Sequence, residues 1–172
     1  MTRSELEIII KGRAAVTVTA FAALLAVNTM LGNANSSRVL TNTIQANNIW
    51  AWYQAKNIRS VLSAAMADMV ESDDMTKRDA ELVQHLRSEV QRMRNEPEDG
   101  MLALAAKARV LEAERDKAKE RSPYYTYAGS ALQLGIVLST AAILAVMMPM
   151  FWASVAVGGA GAVLMAFAYY GV

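Results

Sequence analysis

Amides, not ionisable groups, are the polar residues whose spacing stands out in this chain. Seven of the eight Asn residues lie between positions 28 and 57, joined by Gln45 and Gln54. A side-chain amide offers donors and an acceptor but does not titrate near neutral pH, so it can pair, line or orient but cannot serve as an acid or base. Asn47 and Gln54 are seven residues apart and share a side with Ile44, Ala51 and Ile58. In paired helices such seam amides bond across the interface and fix register at a cost in stability. The spacing therefore predicts an assembly surface; a solvated helix beside a membrane and the wall of a polar passage are the alternatives. Trp50, Trp52 and Tyr53 form an aromatic cluster within the same stretch. Neighbouring helical residues point in different directions, so one narrow seam cannot bury all three rings. At least one needs a second surface, from a partner, another helix or lipid.

Other chemistries find little material. His85 is the single His and Cys is absent, which removes disulfides, thiolate metal sites and His-based zinc spacings. Asp73 with Asp74, and Glu96, Glu98 and Asp99, lack the glycine and oxygen-ligand spacing of a calcium loop and read as charge at helix starts. Met147, Met148 and Met150 around Pro149 read as flexible apolar filling of a turn. There is no phosphate-cradling glycine loop and no nucleophile elbow. The expectation is no catalytic residue, no cofactor and no metal site. Residues 38–121 hold 14 Lys/Arg against 14 Asp/Glu, so nucleic acid is not an expected partner.

The elements that position these residues follow from where charge is missing. The 51 residues after Arg121 carry no charged side chain, and neither do the 24 between Arg13 and Arg38. One bilayer-spanning helix needs roughly 18 or more such residues. Lys11 and Arg13 ahead of an apolar core, with Gly32-Asn33-Ala34 after it, resemble a signal peptide and its cleavage site. The uncharged run is long enough to span, and it is read as a first transmembrane helix over 14–34, following a tail of 1–13. The C-terminal run divides at Pro149 into spans 124–148 and 150–170. Tyr124, Tyr125 and Tyr127 mark one interface, Phe151 and Trp152 the opposite one, and Tyr169 and Tyr170 return to the first. Lys119 and Arg121 lie just outside the first belt, where long cationic stems reach headgroups. None of the spans holds an Asp, Glu, Lys, Arg or His, so the usual materials of a proton relay are missing.

The fold expected is an all-α membrane protein with three transmembrane helices, one N-terminal and two forming a C-terminal hairpin. An extramembrane helical, coiled-coil segment covers 35–121. Within it a first apolar stripe runs through Leu40, Ile44, Ala51, Ile58, Val61, Leu62, Ala65, Met66 and Met69, and a break falls at 72–74. Thr76 with Asp79 is placed to cap a second helix striped by Leu82, Val83, Leu86, Val90 and Met93. Pro97 is placed to start a third, burying Met101, Leu104, Ala105, Ala108 and Leu111. On the last span Ser154, Gly158, Ala162 and Ala166 repeat every four residues, a row of small side chains that admits another helix closely. That helix is either the second span, through Gly135 and Ser139, or a partner. Asn28 in the first span is expected to face protein rather than lipid.

The run from Gln45 to Arg59, with Trp50-Ala51, Trp52-Tyr53 and Gln54-Ala55-Lys56-Asn57-Ile58, lies between one span and a hairpin. In this it resembles an uncharacterised bacterial membrane family, domain of unknown function 4337. Ala131 to Leu138 in the second span is similar to that family as well. The resemblance implies a membrane protein and carries over no catalytic residue.

Three function classes follow, in descending order. The first is a non-enzymatic assembly subunit that forms a homo-oligomer or docks on a larger membrane complex, its interface drawn from Asn28, Ile44, Asn47, Trp50, Ala51, Trp52, Tyr53, Gln54, Ile58, Ser154, Gly158 and Ala162. The second is an oligomeric passage constricted by Asn28, Asn33 and Asn35. The third is an enzyme acting on lipid. The location expected is the bacterial inner membrane or an internal membrane continuous with it. The basic residues flanking the middle segment favour its cytoplasmic placement, against the three before the first span.

Overall fold

The computed structural model describes residues 3–71 and 76–170, and the break expected at 72–74 lies outside them. The described residues form four helices, α1 (Arg3–Glu71), α2 (Lys77–Asn95), α3 (Met101–Ala145) and α4 (Met148–Tyr170), with no strand among them. Helices α1, α3 and α4 are long and apolar enough to cross a membrane. In hydrocarbon a helix is the local solution, because it satisfies its backbone hydrogen bonds within the segment. The chain divides into two compact units, one built from 1–39 and 117–172, the other from 40–116.

In the first unit α1, α3 and α4 meet through small side chains. The inward residues of α3 include Ala118, Tyr125, Ala128, Leu132, Gly135, Ser139 and Ala142, an alternation of three and four residues after the first step of seven. On α4 the inward set is Phe151, Ser154, Gly158, Gly161 and Ala168. Gly135 and Gly158 bring α3 and α4 nearly into backbone contact, since a Cβ built on Gly135 would stand 2.9 Å from Gly158 Cα. A Cβ on Gly158 would in turn intrude on the Phe21 ring of α1. At the far end Ala14, Ala142 and Phe151 form a buried cluster with Ile143, Met148 and Val155 around it.

Two prolines sit differently from expectation. The break between the last two helices precedes Pro149: α3 stops at Ala145, Val146 adopts φ 52°, and the Met147 amide donates to Ala142 O at 3.3 Å. That closure is the Schellman pattern, whose left-handed position usually carries Gly. Pro149 falls in the first turn of α4, where a missing amide costs no intrahelical bond. Pro97 likewise lies in the turn before α3, not at its first residue. Gly100 N there donates to Glu96 O at 2.9 Å, and a Cβ on Gly100 would collide with Glu96 backbone.

In the second unit the capping expectation holds. Thr76 Oγ1 accepts from Asp79 N while the Asp79 carboxylate accepts from Thr76 N at 3.0 Å, and its hydrogen bonds with Thr76 hold that carboxyl below the usual range. Val83 is buried and Leu86, Val90 and Met93 are half-buried, but Leu82 of the same stripe is exposed. Met101, Leu104 and Ala108 of α3 are buried as expected.

A β-branched residue at positive φ costs about 1–2 kcal/mol relative to Gly. Val146→Gly is therefore expected to stabilise the turn by about 1 kcal/mol, seen as a higher unfolding midpoint of the detergent-solubilised protein. An unchanged or lowered midpoint refutes strain at Val146.

Candidate functional site

The candidate surface in the second unit belongs to α1, and the helix presents it in an unexpected way. The inward residues from 42 onward are Asn42, Ala46, Ile49, Tyr53, Lys56, Ser60, Ser63, Ala67 and Val70, again alternating three and four residues. The larger apolar stripe faces outward: Leu40 is 62%, Ile44 51%, Ile58 68% and Met69 74% exposed. Asn47, Ala51 and Gln54 lie exposed along the same row. Reading periodicity by hydropathy finds this row because its side chains are larger and more apolar. Close helix packing selects the other row, where Ala and Ser let backbones approach and longer residues reach specific partners.

Those partners are visible. Asn42 Nδ2 donates to Glu114 at 3.3 Å and Trp50 Nε1 to Glu112 at 3.0 Å, both on α3. Lys56 forms an ion pair with Glu96 at 3.6 Å and also donates to Asp99 O, so its half-buried stem ties α1 to the turn before α3. Arg87 of α2 pairs with Glu71 and, at 3.8 Å, with Asp68 of α1. The aromatic cluster divides accordingly. Trp50 and Tyr53 are half-buried and stack edge to face at 5.4 Å, while Trp52 is 63% exposed. Trp52 forms one wall of a groove with Gln45, Asn48 and Leu111.

In the first unit several expected partner contacts are satisfied within one chain. Asn28 is only 4% exposed and its Nδ2 donates to Tyr125 O at 2.9 Å; it faces protein, as expected, but α3 of its own chain. Asn35 likewise donates to Ala118 O at 2.8 Å and to Ser122 Oγ at 3.0 Å. Ser154 and Ser139 share a buried hydroxyl bond of 2.7 Å, and Gly158 lies against Gly135, so the small-residue strip packs inside the hairpin instead of against a partner. The strip also departs from a strict four-residue row. Ala162 is half-buried and Ala166 exposed, whereas Gly161 is buried with its Cα side close to Ala128 and Leu132. A four-residue row drifts about 40° per step around a helix, and alternating steps of three and four correct the drift.

Two expected interface anchors are core residues. Tyr125 is buried, and its hydroxyl donates to Ala168 O at 3.4 Å. Phe151 is buried with Ala14 and Ala142 because it shares the inward row of α4 with Ser154 and Gly158. Tyr127, Trp152, Tyr169, Tyr170 and Lys119 are exposed, while Arg121 and Tyr124 are half-buried. Arg121, Tyr124 and Tyr127 line a cleft of about 520 Å³ with Phe167.

The two tryptophans should separate stability from surface function. Trp50→Phe removes the bond to Glu112 and is expected to cost about 1 kcal/mol, lowering the unfolding midpoint in detergent. Trp52→Ala should leave it within about 0.5 kcal/mol. Equal loss in both variants would contradict the division of the cluster.

No curated protein and no solved structure gives a significant match to the chain. The profile of one protein family, described only as a domain of unknown function, matches residues 10–171. That span takes in all of the core contacts above, from Ala14 onward, together with the Gln45 to Arg59 run that carried the resemblance. The chain belongs to the DUF4337 family.

Proposed function

We propose that this protein is a non-enzymatic membrane assembly subunit that self-associates, or docks on a larger membrane complex, through the outward face of α1 in its helical segment. One observation carries the reading: Leu40, Ile44, Ile58, Val61, Leu62 and Met69 remain exposed along a single row, although the unit already has an interior. Exposed apolar groups aligned on one face of a folded surface, here to either side of Asn47, Ala51 and Gln54, mark interaction sites. The three-and-four alternation of the inner row supports a coiled-coil segment, and the outer row repeats the pattern for a further helix. Asn47 and Gln54 stand in that outer row, and each amide both donates and accepts, so two copies can pair like with like. Asn28 and Asn35 are engaged with α3 of their own chain, which supports assembly over an amide-lined passage.

Mass measurement of the detergent-solubilised protein tests the reading. The expected result is more than one copy, or a copurifying membrane partner, with assembly weakened at least tenfold by Ile58→Glu and altered by Asn47→Leu or Trp52→Ala while membrane insertion is kept. A strictly monomeric protein without a partner overturns it.

In this reading the protein resides in a bacterial inner membrane with the helical segment on the cytoplasmic side, as the basic residues from Arg115 to Arg121 favour. The chain has no Cys, so Ser88→Cys, at an exposed position of α2, supplies a unique label. An impermeant maleimide should label it only after the cells are opened. Labelling of intact cells refutes the cytoplasmic placement.

A further inference from the structure

A second surface, unrelated to the outward face of α1, lies in the first unit. Between α1 and α3 there is a cleft of about 300 Å³, within the lower range of small-molecule sites. Its walls are polar where a lipid-facing helix would carry Leu or Val, with Asn28, Thr29, Asn33, Thr126, Ser130 and Gln133 among the lining residues. No Asp, Glu, Lys, Arg or His lines it.

Hydrogen-bond accounting gives the cleft a sign. Thr29 Oγ1 donates to Leu25 O at 2.9 Å, Thr126 Oγ1 to Ser122 O at 3.2 Å and Ser130 Oγ to Thr126 O at 3.1 Å. Each hydroxyl has one proton, already committed to its own helix, so these oxygens meet a ligand only as acceptors. Asn28 behaves in the same way. Its Nδ2 bonds Tyr125 O, which can only accept, so the amide orientation is fixed and Oδ1 is left buried without a partner. Gly129 secures that seat, because a Cβ there would come within 3.1 Å of Asn28 Nδ2. Asn28 lines the cleft, so a ligand that enters there can bring a donor to this oxygen while Nδ2 keeps its bond.

The buried Asn28 Oδ1 disfavours an anion, the absence of a carboxylate leaves a full cation without a counter-charge, and the exposed amides of Asn33 and Gln133 both donate and accept, as a hydroxyl does in return. What remains is a neutral group rich in hydroxyl donors. The cleft lies toward the ends of the uncharged runs, close in sequence to Arg38 and Arg121, which is the level of lipid headgroups for helices that cross a membrane. We propose that this cleft binds the neutral, hydroxyl-rich headgroup of a lipid, whose hydroxyls donate to Asn28 Oδ1 and to the Thr and Ser oxygens.

Native mass spectrometry of the full-length protein in detergent tests this with monogalactosyl diacylglycerol against phosphatidylcholine of identical acyl chains, which has no headgroup donor. The galactolipid is expected to bind at least about tenfold more tightly, the scale of one or more hydrogen bonds to a buried acceptor. Asn28→Leu should abolish that preference. Thr126→Val combined with Ser130→Ala, at exposed positions that leave packing intact, should reduce it severalfold and serves if Asn28→Leu fails to fold. Free galactose that displaces the galactolipid at millimolar concentration would keep the donor chemistry but assign the site to a soluble sugar. Equal binding of the two lipids, or a preference untouched by the variants, overturns the proposal and leaves the cleft to water.

Discussion

The first unit depends on one steric constraint, the seat of the Phe21 ring against the bare backbone of α4 at Gly158, with Gly135 of α3 pressed on the same spot. In a membrane, water does not drive helices together, so association rests on van der Waals contact and on buried polar bonds. Only residues without a side chain let three backbones and one ring share this point. A methyl group at either glycine would have to displace backbone or an aromatic ring, neither of which yields easily. The neighbouring Ser139–Ser154 hydroxyl bond and the close approach of Gly161 to Ala128 become possible once that distance is set.

Polar side chains then fix how the helices are registered. Asn28 and Asn35 reach backbone oxygens of α3 about one turn to either side of Ser122, and Tyr125 reaches α4 through its hydroxyl. An amide in an apolar span that found no partner would carry a large desolvation penalty, so sliding α1 along α3 would break both bonds together. The same commitment of donors leaves acceptor oxygens along one wall, which is how a span without a charged residue acquires a polar cleft. Register and recognition thus have one physical origin there.

The second unit uses a different division of labour. Its α1 residues carry polar and small groups inward and larger apolar groups outward, the reverse of what a free-standing helical hairpin in water would adopt. Lys56, Asn42 and Trp50 hold the inner face through specific bonds to α3 or the turn before it. The outer face keeps an exposed, uncharged row in which Leu, Ile and Met flank Asn47 and Gln54. Trp52 is exposed on a flank of α1, in a groove with Leu111 of α3, while Trp50 and Tyr53 are half-buried, so adjacent aromatic residues take different surroundings.

Local and compositional signals determined much of this protein: the three apolar helices, the all-helical class, the Thr76 cap and the row of small residues on the last span are each legible without knowing what packs on what. The family resemblance was likewise carried by a short contiguous run. What only the tertiary structure decided is which face of each helix turns inward. Hydropathy ranks Ile44, Ile58 and Leu62 above Ala46, Ser60 and Ser63, yet packing density favours the smaller row, because interhelical distance depends on side-chain volume as well as polarity. Tyr125 and Phe151 became core residues for a similar reason, since an aromatic ring near a span's end serves either the headgroup layer or the helix beside it. That choice depends on where the neighbouring backbone stands, and no spacing within one helix records that position.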